Sequence, residues 1–219
     1  MERYKGAIFD LDGTLVTTEY AHRRIVLEKV LGEFGKPIPS KKIINKFWFE
    51  GNRGKIITEI FGVDVNDFWE SYHKYDTPEL REKFTEPFYD IEVLPRIKKM
   101  GYKIGIVTSA PPEIAELEIG MIEKSTGKNL FDKVIVANAK NGFLPKPHPD
   151  GIIKCLYSLS LNNYEAIFAG NSDEDIGAAK KAWVTGVHLD RKEYDYGNLY
   201  PDWTIGSLYE LEEILFNLF

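Results

Sequence analysis

Among its 219 residues the chain has no glutamine and a single cysteine, and no long apolar run. Each shortage excludes something. With Cys155 alone, no disulfide can form within the chain, which fits a reducing cytoplasm as the expected location. No apolar stretch approaches the length that a bilayer-spanning helix needs, so no membrane partner is expected. The opening residues, Met1-Glu-Arg-Tyr-Lys-Gly, lack the apolar centre of a secretory signal, and none is expected. Basic side chains number 28 against 34 acidic ones, a net charge of −6, and no Lys/Arg stripe stands out. Nucleic acid is therefore not an expected partner, because phosphate-backbone binding rests on a basic footprint. The missing glutamine, beside plentiful Lys and Glu, is a bias compatible with a thermophilic source.

What remains is an ordinary globular composition, 43% hydrophobic and 28% charged. The length suits one large domain, or a core with a small insertion. The apolar run Ala7-Ile8-Phe9, ended by a turn at Gly13, predicts a buried first strand over Lys5–Asp10. The character then changes. Tyr20–Phe34 carries Ile25, Val26, Val30, Leu31 and Phe34 at helical spacing, and Gly35, Pro37 and Pro39 end it. Helices are expected from Ser40 through Trp48, over Lys55–Phe61, over Asn66–Tyr75, and after the cap pair Thr77-Pro78. Nothing in this block alternates like a strand, so residues 17–86 are read as a small helical domain. From Pro87 onward strands alternate with helices: Lys103–Val107, Lys133–Ala137, Glu165–Ala169 and Thr185–Leu189 are the expected strands. That alternation predicts an α/β core, residues 1–16 with 87–219, built on a parallel sheet covered by helices on both faces.

The chemistry-bearing residues fall where these strands end. Asp10 and Asp12 follow the first strand, Thr108 and Ser109 the second, and Asn171 and Asp175 the strand Glu165–Ala169; Lys146 lies in a loop before a helix. The carboxyl edge of an open α/β sheet is where ligands bind, so residues far apart in sequence can converge there. Two carboxylates one residue apart repel each other unless a cation sits between them. An oxygen-rich cluster of this kind suits a hard cation, and Mg²⁺ is the usual one beside phosphate.

The stretch Asp10-Leu-Asp12-Gly-Thr-Leu resembles the first motif of the haloacid dehalogenase-like hydrolases. Thr108-Ser109, Lys146, and Asn171 with Asp175 match that family's remaining motifs in order. The resemblance implies a Rossmann-like core with a helical cap inserted after the first strand, a cap that opens and closes over the site. It implies a Mg²⁺-dependent phosphatase acting on a small phosphorylated metabolite through an aspartyl-phosphate. Asp10 would be the nucleophile, and Asp12 the general acid and base, its backbone carbonyl also facing the metal. Thr108, Ser109 and Lys146 would bind phosphate, while Asp10, Asp12, Asn171 and Asp175 would hold Mg²⁺. The positive groups are needed because a carboxylate meeting a phosphate at about 4 Å costs roughly 4 kcal/mol per unit charge at an effective dielectric of about 20.

Asn171 departs from the pattern, since the family usually has Gly-Asp where this chain has Gly170-Asn171. An amide can ligate Mg²⁺ through its oxygen but adds no charge, which bears on metal affinity and leaves a catalytically dead relative open. His22 in the first helix of the insertion and Arg53 in the turn Gly51–Gly54 are candidate substrate contacts. Their bland alternatives are an exposed helix histidine and a solvated loop tip. A sugar-phosphate mutase resembling β-phosphoglucomutase shares the core residues and is the alternative activity. A phospho-accepting signalling module is disfavoured, because its aspartate follows a later strand in a much shorter chain.

Overall fold

The computed structural model describes residues 4–138, 142–197 and 199–216. They divide into two compact units, one of Met1–Thr17 with Pro87–Phe219, the other of Thr18–Glu86.

The first unit is built on a six-stranded parallel sheet in the order β5-β4-β1-β6-β7-β8. Its strands are β1 (Gly6–Phe9), β4 (Lys103–Thr108), β5 (Lys133–Val136), β6 (Ala166–Gly170), β7 (Thr185–Leu189) and β8 (Trp203–Ile205). The strand β1 is central and wholly buried, paired with β4 on one side and β6 on the other. Its alternation feeds two cores. Ala7 and Phe9 join the cluster that includes Leu94, Ile106, Ile122 and Leu211, while Ile8 joins the opposite one with Ile152, Cys155 and Phe168. Each Leu, Ile or Phe among them, once fully buried, contributes about 1.5–3 kcal/mol.

Helices cover both faces, as a parallel sheet requires. Those of this unit are α6 (Val93–Lys99), α7 (Pro112–Thr126), α8 (Asp150–Leu159), α9 (Asp173–Lys181) and α10 (Leu208–Leu215). In α8 the buried residues Ile152, Cys155, Leu156 and Leu159 recur at helical spacing, which is why this stretch lies on the sheet. Burial raises the Cys155 thiol to about 12, so it behaves as a small apolar side chain.

The second unit is helical: α1 (Tyr20–Glu33), α2 (Lys41–Phe49), α3 (Arg53–Lys55), a π-helical turn at Ile56–Phe61, α4 (Val65–Tyr75) and α5 (Pro78–Glu82). Its core is aromatic, with Phe47, Phe61, Phe68 and Tyr72 ring against ring. Thr77 caps α5 through its side chain, with Pro78 in the first turn.

Three features depart from the sequence expectation. The chain leaves and re-enters the sheet-bearing unit through a short ribbon, β2 (Val16–Thr18) with β3 (Thr85–Pro87), where no strand was expected. Three residues are too few to show alternation. The segment Lys55–Phe61 closes at Gly62 as expected but winds as a π turn. The edge strand β8, half exposed and three residues long, follows a stretch rich in polar and aromatic residues that gave no strand signal. The stretch Lys140-Asn141-Gly142-Phe143, which as a sequence predicts a turn, lies partly outside the described residues. No helix among the described residues is long and apolar enough to cross a membrane.

Candidate active site

Because β1 lies between β4 and β6, the residues that follow these three strands share the carboxyl edge of the sheet. Asp10 comes directly after β1 and is 6% exposed. After Asp10 the chain turns at once: the amides of Thr14, Leu15 and Val16 all donate to the Leu11 carbonyl, and Gly13 N donates to Val16 O at 2.7 Å. Gly13 has φ +84°, and a Cβ there would meet the Asn171 side-chain nitrogen at 2.4 Å. Glycine is therefore required both by the backbone and by the close approach of the two loops.

Lys146 binds the two loops together electrostatically. Its ammonium donates to Asp10 Oδ1 and, at 2.6 Å, to Asp175 Oδ1. Asp175 itself is fully buried and is fixed by a capping box at the start of α9: Ser172 N and Ser172 Oγ donate to its Oδ2 at 2.9 and 2.6 Å. Gly170 leaves room for it, since a Cβ there would stand 2.4 Å from the Asp175 carboxyl carbon. The Thr14 hydroxyl lies 3.2 Å from Asp10 Oδ2 and 3.3 Å from Asn171 Oδ1, so a single proton is shared between the first and last loops.

The charge is unbalanced. Burial, and next the neighbouring Asp175, push the Asp10 carboxyl up to about 7 against the pull of Lys146. Burial would lower the Lys146 ammonium, but Asp10 and Asp175 outweigh it and hold it above its ordinary value. Two buried carboxylates share one ammonium, and a further cation would complete the set.

Of the remaining expected residues, Thr108 is 2% exposed at the end of β4. Its hydroxyl oxygen accepts from Ala110 N at 3.1 Å, which leaves the hydroxyl proton to donate elsewhere. Ser109 follows it and is exposed, while Asp12 is partly exposed in the turn after β1. Asp10, Thr14, Lys146, Asn171 and Asp175 are joined by direct contacts.

The two candidates in the helical unit have other neighbours. His22, expected as a substrate contact or an exposed helix histidine, is fully buried inside that unit. Its ring stands edge-on to Trp48, and Nε2 lies 3.0 Å from Asp76 Oδ1. Arg53 starts α3 and donates to Trp48 O at 3.1 Å.

Four residues of this edge carried no role in the sequence reading. Besides Thr14, these are His188, whose Nε2 is 3.1 Å from Asn171 O, and the pair Arg191 and Asp90. Only tertiary contact reveals them. Asp190-Arg191-Lys192-Glu193 reads as a solvated turn, and Asp90 is 101 residues from its partner.

A parallel α/β sheet with an acid–lysine–acid cluster at its carboxyl edge defines the class of protein. Residues 7–188 match the family described as haloacid dehalogenase-like hydrolase, and the chain belongs to that family. Among its relatives is a putative pyrophosphatase PpaX of Caldanaerobacter subterraneus, 27% identical over 95% of this chain and 93% of that one. A phosphoglycolate phosphatase of Neisseria meningitidis is also 27% identical, over 98% of this chain and 95% of its own length. A putative haloacid dehalogenase-like hydrolase from Bacteroides fragilis shares the fold with a TM-score of 0.80 at 21% identity, covering 95% of this chain and 99% of that one.

Proposed function

We propose that the chain is a Mg²⁺-dependent phosphatase that hydrolyses a small organic phosphate monoester. The observation that carries this reading is the Lys146 ammonium held between Asp10 and Asp175 at the carboxyl edge of the sheet. The family and the relatives named as a pyrophosphatase and a phosphoglycolate phosphatase support it.

In this reading an Asp10 carboxylate oxygen attacks phosphorus, the bond to the leaving oxygen breaks, and Asp12 gives that oxygen its proton. Asp12 then takes a proton from water as the water attacks the aspartyl-phosphate, which releases inorganic phosphate and regenerates Asp10. Lys146 and the Thr108 hydroxyl offset the charge of the phosphate oxygens, and the amides of Ser109 and Ala110 add donors just ahead of α7.

The donors for a metal are all oxygens: Asp10, the Asp12 backbone carbonyl, Asn171 Oδ1 and Asp175. No three His, Cys, Asp or Glu side chains among the described residues form a ligand cluster. Mg²⁺ needs only one or two carboxylates, its other positions being filled by carbonyl, water and substrate oxygens, so this set fits. When bound, the ion supplies the positive charge that Lys146 alone does not. Asn171 makes the set less acidic than the family's usual one. Substrate choice is assigned to the helical unit, and the location to the cytoplasm.

The test is release of phosphate from p-nitrophenyl phosphate with Mg²⁺, wild type beside Asp10→Asn, with EDTA as control. Metal-dependent release that falls at least about 10³-fold in the variant is expected. Activity surviving Asp10→Asn would sink the nucleophile assignment. A sugar phosphate returned as its isomer, with no free phosphate, would replace the phosphatase with the mutase.

A further inference from the structure

Arg191 stands just past β7 and grips the loop that carries Asp10. Its side chain is 4% exposed. Nε and Nη2 donate to the Thr14 carbonyl at 3.2 and 2.7 Å, and Nη1 and Nη2 donate to the two Asp90 oxygens at 2.7 and 2.9 Å. Its guanidinium lies 3.9 Å over the Phe88 ring. Asp90 is fully buried and accepts from Leu208 N at 2.8 Å, so the far end of the clamp is tied to the start of α10. A planar fork with this many contacts has one orientation, and the Thr14 carbonyl is held by it.

Thr14 is where that hold reaches the chemistry. The same residue whose carbonyl is clamped sends its hydroxyl between Asp10 Oδ2 and Asn171 Oδ1. Within β7 itself, three residues before Arg191, the His188 ring meets the Asn171 carbonyl. The end of β7 therefore touches both acidic loops, Arg191 on the first and His188 on the last.

We infer that Arg191 is a positioning residue: acting through Thr14, it sets where the Asp10 carboxylate stands relative to Asn171. The inference rests on the reading of Asp10 as nucleophile. Displacing a reacting group by about 1 Å can cost about 10²-fold in rate without changing what the site binds. Lysine at 191 keeps a cation near Asp90 but cannot fork onto the Thr14 carbonyl at the same time.

The experiment is a double-mutant cycle of R191K and T14V on p-nitrophenyl phosphate hydrolysis with Mg²⁺, with wild type and Asp10→Asn as controls and melting temperatures measured for each protein. R191K is expected to lower kcat roughly 10–100-fold with KM within about twofold. The double variant is expected to be no slower than the slower single one, because both changes cut one connection. Unchanged kcat in folded R191K, or losses that multiply in the double variant, overturns the inference. If R191K melts below the assay temperature, all four proteins of the cycle are assayed at a temperature below that melting point, with the same criteria. Failure of the phosphatase reading is recognised separately, by a wild type that releases no phosphate or an Asp10→Asn variant that still does.

Discussion

Each unit buries a cluster of polar side chains around a carboxylate, and the two clusters differ in their balance of charge. In the helical unit one carboxylate, Asp76, faces two bases. Arg81 donates to its two oxygens at 2.7 and 2.9 Å, and His22 lies 3.0 Å away. Burial alone would raise the Asp76 carboxyl, but Arg81 and then His22 outweigh it and hold the group well below the usual carboxylate range. In the sheet-bearing unit two carboxylates face one base, and Asp10 is pushed up instead. Comparable burial thus gives opposite results: Asp76 has a guanidinium to itself, while Asp10 shares one ammonium with Asp175. In the first cluster the one carboxylate is matched by the Arg81 guanidinium. The second is short of positive charge, which is the condition of a site that takes up a cation.

The comparison breaks most visibly at Asp76. Asp76→Asn leaves Arg81 buried without its ionic partner and is expected to destabilise by about 3–5 kcal/mol, read as a lower urea midpoint. A variant as stable as wild type would show that the pair is not what secures this unit. Asp10→Asn is expected to do the reverse in EDTA and raise the melting temperature, because it removes repulsion with Asp175.

A pH series separates the two clusters further. Asp10 sits at about 7 when folded against about 3.9 when unfolded, so folding favours its protonated form. Its contribution is full below about pH 4 and lost as the pH rises through about 7. In EDTA, wild type is expected to lose roughly 2–4 kcal/mol over that window relative to Asp10→Asn. Asp76 has the opposite sign: its contribution is present above its unfolded value and fades as the pH falls below about 4. Parallel melting curves for wild type and Asp10→Asn across pH 4–7 would refute the account of Asp10.

The smallest effect sharpens the charge argument. Asn171→Asp adds one negative charge beside Thr14 and is expected to tighten Mg²⁺ binding about tenfold, near 1.4 kcal/mol. The check is the Mg²⁺ concentration giving half-maximal activity. An unchanged or weaker apparent affinity would remove Asn171 from the proposed ligand set.

How much of this was legible in the sequence follows from the range of each interaction. Asp10, Thr108 and Asn171 announce themselves because each sits directly beyond an apolar run, and a strand end is a local signal. Helices such as α1 and α8 carry their own periodicity. The interior position of His22 was not legible: nothing near residue 22 says that Trp48 and Asp76 will close around it. Arg191 is the sharpest case, a charged residue in a charged turn whose meaning depends on Asp90 and Thr14. The strands β2, β3 and β8 are too short to show a period at all.

The place of β1 in the sheet has one more consequence, for the order in which the protein is made. Gly6–Phe9 lies well ahead of both its partners in the chain, Lys103–Ile106 and Ala166–Ala169. At about 5–20 residues per second, the partner near residue 166 arrives roughly 10–30 s later. For that interval the apolar segment that leads into Asp10 has one sheet neighbour at most, and the helical insertion is synthesised in full before it has any. The strand that leads into Asp10 is thus flanked on both sides only once Ala166–Ala169 has been made, and the loop that carries Asn171 and Asp175 follows directly.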